Sequence, residues 1–109
     1  MSDNIGSAPY GAEHACVLAS RESAAPAMLS RLVGRRGENG DIVVRDAYLP
    51  ADLVPGDLVA VAATGAYCRS MASNYNHLPR PPVVAVSCGT ARVMLRRETA
   101  ADLLALDEG

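Results

Sequence analysis

The stretch Leu53–Tyr67, LVPGDLVAVAATGAY, decides the fold class of this chain. Pro55-Gly56-Asp57 reads as a turn, and Leu58 to Ala62 is the nearly continuous apolar run typical of a buried strand. Gly65 follows at a strand-to-helix junction, where exposed backbone N–H groups can hold an anion such as a phosphate. Tyr67 closes the stretch and precedes a short segment, YCRSMASNYN, that suits one or two helical turns.

The same grammar repeats outward in both directions. His14 to Ser20 is a short apolar run, and Pro26 separates it from Met28 to Gly34. That second run alternates as a strand, with Leu29 and Val33 expected on one face and Arg31 on the other. DIVVRDAYLP, ended by Pro50, is a further strand. PPVVAVSCG and ARVMLRRET form two strands around Cys88-Gly89-Thr90. In the tail, Thr99 is a natural N-cap, and Leu103, Leu104 and Leu106 are spaced for a short amphipathic helix. Regular short strands with turn chemistry between them predict a mainly β fold, an antiparallel β-barrel or sandwich with one or two short helices. Residues 1–12 read as an irregular lead-in and residues 13–109 as the β domain.

Composition narrows the functional classes. With 109 residues, half of them apolar, the chain has globular composition, but it contains no Phe, no Trp and only four Tyr. Its core is therefore aliphatic. All ten basic residues are Arg and none is Lys, so no Schiff base to pyridoxal phosphate or a carbonyl substrate can form on this chain. The arginines are scattered and the net charge is −2, which excludes a basic nucleic-acid stripe. Cys16, Cys68 and Cys88 form no CxxC pair and no disulfide framework, as expected of a cytoplasmic chain. No secretory leader and no run of membrane-span length is read in the sequence.

Few side chains stand out for chemistry. Glu38 sits in LVGRRGENGDIVV, Leu32–Val44, where Asn39-Gly40-Asp41 is a strong tight-turn signal. On spacing alone it reads first as a solubilising hairpin tip. Tyr67 and Tyr10 read first as packing residues. His14 and His77 lack an acidic partner at metal spacing. Ser70 and Ser73 lie in no nucleophile motif, and no basic neighbour activates a cysteine.

Five segments taken together go further: MSDN…YGA, G-x-x-x-E-x-G-D, PGDLVAVAATGAY, SNYN…PRPP and RRET…DLLALD. In order and spacing they resemble the C-terminal region of the diaminopimelate decarboxylases, in the fold group shared with ornithine and arginine decarboxylases. The resemblance implies pyridoxal-phosphate enzymes of lysine biosynthesis, with a (β/α)8 barrel carrying the cofactor lysine and a β-rich C-terminal domain. It also implies dimers with active sites at the subunit interface. By position it assigns Tyr67 to cofactor and substrate, Tyr10 to substrate, and Glu38 to the substrate's distal end across the dimer. A carboxylate on a rigid turn suits a distal ammonium group.

The departures from that pattern are specific. Gly37 stands where the family has a cysteine associated with protonating the decarboxylated carbanion. Gly6 stands where the family has an arginine that grips a substrate carboxylate, a contact of roughly 1.5–3 kcal/mol. The barrel and its lysine are not in these residues. The first expectation is a C-terminal fragment without independent catalysis, on which no cofactor is held covalently. The second is a split subunit that completes its site with a separate barrel chain. The third is an interaction module that binds an intact decarboxylase. In an isolated copy, surface that packs on the barrel and the other subunit in the family would be left uncovered, favouring self-association or poor solubility.

Overall fold

Ribbons of two antiparallel strands are the building unit of the structure, a computed structural model that describes residues 15–35, 41–65 and 68–109. In chain order the strands are β1 (Cys16–Leu18), β2 (Ala27–Val33), β3 (Ile42–Pro50), β4 (Val59–Val61), β5 (Val83–Ser87) and β6 (Thr90–Leu95). Two short helices, α1 (Cys68–Met71) and α2 (Ala100–Leu103), and a 3-10 turn at Tyr75–His77 complete the order. β1 pairs with β4, β2 with β3 and β5 with β6, all antiparallel. The predicted mainly β, antiparallel class is the observed one, although the strands do not close into a barrel among the described residues.

The core lies where the β1–β4 ribbon packs on the longer β2–β3 ribbon. Val43, Val44, Ala47 and Leu49 are buried there, with Cys16, Leu32, Leu53 and Val61 packed against them. Two buried neighbours, Val43 and Val44, break the alternation a strand should show. The register explains them. Ser30 faces Ala47 but Leu32 faces Val44, and Val33 faces Ile42, so β3 carries an extra residue at each step. Each bulge shifts the phase of the strand and returns a valine to the core side. The same geometry corrects the expected faces of β2. Leu29, Arg31 and Val33 all point outward, and it is Ser30 and Leu32 that turn in.

The turns follow their chemistry. Asp57 N–H donates to the Val54 carbonyl at 3.1 Å, and Gly56 at φ 104° supplies the positive φ that a type II turn requires after Pro55. Beyond the turn, the run Leu58–Ala62 is not the buried strand its composition suggested. Only Val59–Val61 is a strand, Val59 and Val61 are half-buried, and Leu58 and Ala60 are exposed. The β1–β4 ribbon packs on the β2–β3 ribbon through one face only, so alternate residues of a continuous apolar run stay exposed.

β5 and β6 form a hairpin whose connection, Cys88 at φ 49° and Gly89 at φ 73°, is the mirror-image turn that matches strand twist. All residues of both strands are exposed. Val84 faces Val93 and Val86 faces Ala91, so one surface of the ribbon is an uncovered valine strip. The tail forms the predicted N-cap as a full capping box, in which Thr99 and Asp102 satisfy each other's backbone N–H groups. The helix is shorter than its leucines implied, and Leu104 and Leu106 lie beyond it, exposed. The chain exposes 7909 Å², whereas a folded monomer of its mass exposes about 5,800 Å².

Candidate functional site

Tyr10, Glu38 and Tyr67, with Gly6 and Gly37, lie outside the described residues, as does His14. What the structure describes is the framework on which these positions are mounted.

The two strands on either side of the Glu38 position close tightly on each other. Gly34 N–H donates to the Asp41 carbonyl at 2.8 Å, extending the β2–β3 ladder one step past Val33 and Ile42. Asp41 is 4 % exposed. A side-chain carbon at Gly34 would collide with the Asp41 carboxylate, so the close approach of the two strands requires glycine there.

The segments bearing Tyr10 and Tyr67 start from one hydrogen bond. Ala62 N–H donates to the Ala15 carbonyl at 3.1 Å, joining the residue before β1 to the residue after β4. On the far side of Tyr67, Cys68 and Ala72 are buried and anchor α1. β4 ends at Val61 and α1 starts at Cys68, while residues 66 and 67 of the expected strand-to-helix junction lie outside the described residues.

Two polar clasps, which sequence reading did not single out, hold this framework. In the first, Arg21 forks onto Asp57, with Nε to Oδ1 at 2.9 Å and Nη2 to Oδ2 at 2.8 Å. Its Nη1 also reaches Asp52 Oδ2 at 3.0 Å. The Arg21 guanidinium, followed by the Val54 N–H, holds the Asp57 carboxyl down at about 2. Asp52 is held below its usual range by the Ser23 hydroxyl and then by Arg21. This clasp ties the segment after β1 to the Pro55-Gly56 turn.

In the second clasp, Glu98 Oε2 accepts the Asn74 side-chain amide at 2.6 Å and the Arg80 backbone N–H at 2.8 Å. The Arg80 guanidinium donates to Glu98 Oε1 at 2.9 Å and to the Ala72 carbonyl at 3.0 Å. Those donors, the Arg80 N–H first and Asn74 next, hold the Glu98 carboxyl below its usual range. The only sign in the sequence was that SNYN…PRPP and RRET recur together among the segments that carry the resemblance.

Among the described residues no group of three His, Cys, Asp or Glu could hold a metal ion. Cys68 is buried, burial pushes the Cys16 thiol up, and Cys88 sits exposed in the hairpin turn. No helix among the described residues is long and apolar enough to cross a membrane. The side chains present offer no primary amine on which pyridoxal phosphate could be held as an imine. The family's imine needs a lysine, and all ten Lys-or-Arg positions here are Arg, each bearing a guanidinium. Three of those guanidiniums, on Arg21, Arg80 and Arg96, are already paired with carboxylates.

Comparison with known proteins places this framework. Residues 1–65, more than half of the chain, match the family model described as the pyridoxal-dependent decarboxylase C-terminal sheet domain. The chain is 60 % identical over 107 residues to the diaminopimelate decarboxylase of Mycobacterium tuberculosis, covering 98 % of this chain and 24 % of that protein. It is 47 % identical over 107 residues to the Synechocystis diaminopimelate decarboxylase, covering 98 % of this chain and 23 % of that protein. The diaminopimelate decarboxylase of M. jannaschii, solved in complex with L-lysine, superposes with a TM-score of 0.87 at 33 % identity. That match covers 97 % of this chain and 24 % of the other. The chain thus spans about a quarter of the length of the relatives it matches. A lysine-free set of antiparallel ribbons that matches both the family model and the fold belongs to the pyridoxal-dependent decarboxylases, through their C-terminal sheet domain.

Proposed function

We propose that this chain is the substrate-facing C-terminal portion of a diaminopimelate decarboxylase. It contributes Tyr10, Glu38 and Tyr67 to a site whose cofactor-binding lysine and barrel lie outside these residues. The observation that carries this reading is 60 % identity across nearly the whole chain to a relative of which it covers only 24 %. Alone, the 109 residues do not decarboxylate, because they contain no amine on which the cofactor could be held. When bound in the completed site, pyridoxal phosphate supplies the electron sink for decarboxylation. This chain's share is recognition: Glu38 reads the distal ammonium group, while Tyr10 and Tyr67 line the substrate, Tyr67 also meeting the cofactor.

The test is a chimera in which this chain replaces the matched quarter of the M. tuberculosis enzyme, assayed for L-lysine formed from diaminopimelate. Gly37 offers no proton donor and Gly6 no cation, so the chimera should turn over slowly. Gly37→Cys combined with Gly6→Arg should then raise kcat/KM by about a hundredfold, in the range of a restored acid and a restored charged contact. A chimera that stays inactive after both changes refutes the reading. A separately encoded barrel chain is the alternative source of the missing part. Co-purification with such a chain would support it.

A further inference from the structure

The SNYN…PRPP and RRET segments carry the resemblance, yet the proposed function gives them no task. In the structure they meet at one carboxylate. Glu98 accepts hydrogen bonds from the Asn74 side chain, the Arg80 backbone and the Arg80 guanidinium, and Asn74 Nδ2 also donates to the Leu78 carbonyl at 3.1 Å. The return contact, Glu98 N–H to the Arg80 carbonyl at 3.2 Å, closes the clamp from the other side. Each contact of the Glu98 clamp falls on residues flanking the 3-10 turn Tyr75–His77.

That turn is strained. Asn76 and His77 both adopt φ 56°, the left-handed region that Asn and His enter more readily than other β-carbon side chains but as single residues rather than in succession. Ala63 and Cys88 also take positive φ, each singly, whereas among the described residues only Asn76 and His77 are two consecutive side chains held there. Tyr75, Asn76 and His77 are all exposed, so no covering core imposes the shape. Strain retained in an exposed segment and over-determined by its flanks marks pre-organisation rather than packing. The clamp also reaches back to the helix after Tyr67, since Arg80 holds the carbonyl of buried Ala72.

We propose that Glu98 is a positioning residue. Through Asn74 and Arg80 its carboxylate fixes the Tyr75–His77 crest and the end of α1 in one shape, so that the completed decarboxylase site receives them ready-made. This rests on the function proposed above. Neither Glu98 nor Arg80 touches substrate in this scheme; both act through the segment they hold.

The experiment uses the full-length chimera carrying Gly37→Cys and Gly6→Arg, compared with the same protein bearing Glu98→Gln or Arg80→Lys. Lysine keeps the charge but cannot fork between Glu98 and the Ala72 carbonyl. Amide exchange across residues 72–80 should accelerate by about tenfold or more in both variants, with the β2–β3 amides unchanged. With melting temperature held, kcat should fall by about tenfold to a hundredfold, the scale of a small misplacement at a site. Unchanged exchange in 72–80, or kcat within about twofold of the parent, overturns the proposal. So does loss of protection throughout the chain in both variants, which would make the clamp a stability element only. A parent chimera that forms no lysine refutes the function proposed above, while exchange in 72–80 still judges the clamp by itself.

Discussion

Gly34→Ala tests whether the strands on either side of the Glu38 position close as tightly as the structure describes. The added methyl group would meet the Asp41 carboxylate, which is 4 % exposed and so has little room to swing away. Either the strands part and lengthen the 2.8 Å bond from Gly34 N–H to the Asp41 carbonyl, or the carboxylate is driven from its site. Overpacking of this kind costs about 1–3 kcal/mol, while alanine recovers about 0.4–1 kcal/mol by narrowing the unfolded ensemble. The net expectation is a loss of about 1–2 kcal/mol, or roughly 5–10 °C in melting temperature for a chain of this size. Urea unfolding followed by circular dichroism, at fixed protein concentration, measures it. Removing the obstacle should remove the penalty, so Gly34→Ala made on an Asp41→Ala background should cost little or nothing further. If the single variant is as stable as the parent, or loses the same amount with Asp41 absent, the packing argument is wrong.

Other consequences can be checked on the same chain. Leu49→Ala, in the centre of the small aliphatic core, should cost about 2–5 kcal/mol in urea unfolding. Acid should weaken the Arg21 clasp in a defined window. Asp57 is held at about 2 in the folded chain, below its unfolded value of about 3.9. Its contribution is complete above the unfolded value and is lost as pH falls toward 2, so stability measured from pH 5 to 2 should decline less steeply in Arg21→Ala than in the parent. Replacing Val84, Val86 and Val93 together by Thr keeps β-propensity but removes the valine strip. Sedimentation velocity should then show less self-association, with the circular dichroism spectrum unchanged.

Local chemistry was legible in the sequence, and pairing was not. Pro55-Gly56-Asp57, the Cys88-Gly89 turn and the Thr99 cap declare themselves because a few adjacent residues fix each one. The burial of both Val43 and Val44 depends on how β3 registers against β2, a property of two strands that neither shows alone. The Leu58–Ala62 run misled because apolar composition says nothing about how many neighbours a strand will have. Leu104 and Leu106 misled similarly, since a leucine spacing suited to a helix does not make the helix continue. Arg21 and Asp57, far apart in sequence, carry no mark that they will meet. Glu38, Tyr10 and Tyr67 were recognisable only through resemblance, because a turn acid and two loop tyrosines have no spacing of their own.

The pairing of β1 with β4 also has a kinetic meaning. The β5–β6 hairpin and the β2–β3 ribbon join near neighbours in sequence, and such ribbons close within microseconds. Cys16 must instead find Val61 across an intervening chain that holds the whole β2–β3 ribbon. Closing a loop of that length is the slow, entropy-limited event, and the core that rewards it exists only afterwards. The rate at which this chain folds is thus set by three residue pairs at its first strand, and substitutions at Leu18 or Val59 should slow folding more than they hasten unfolding in stopped-flow measurements.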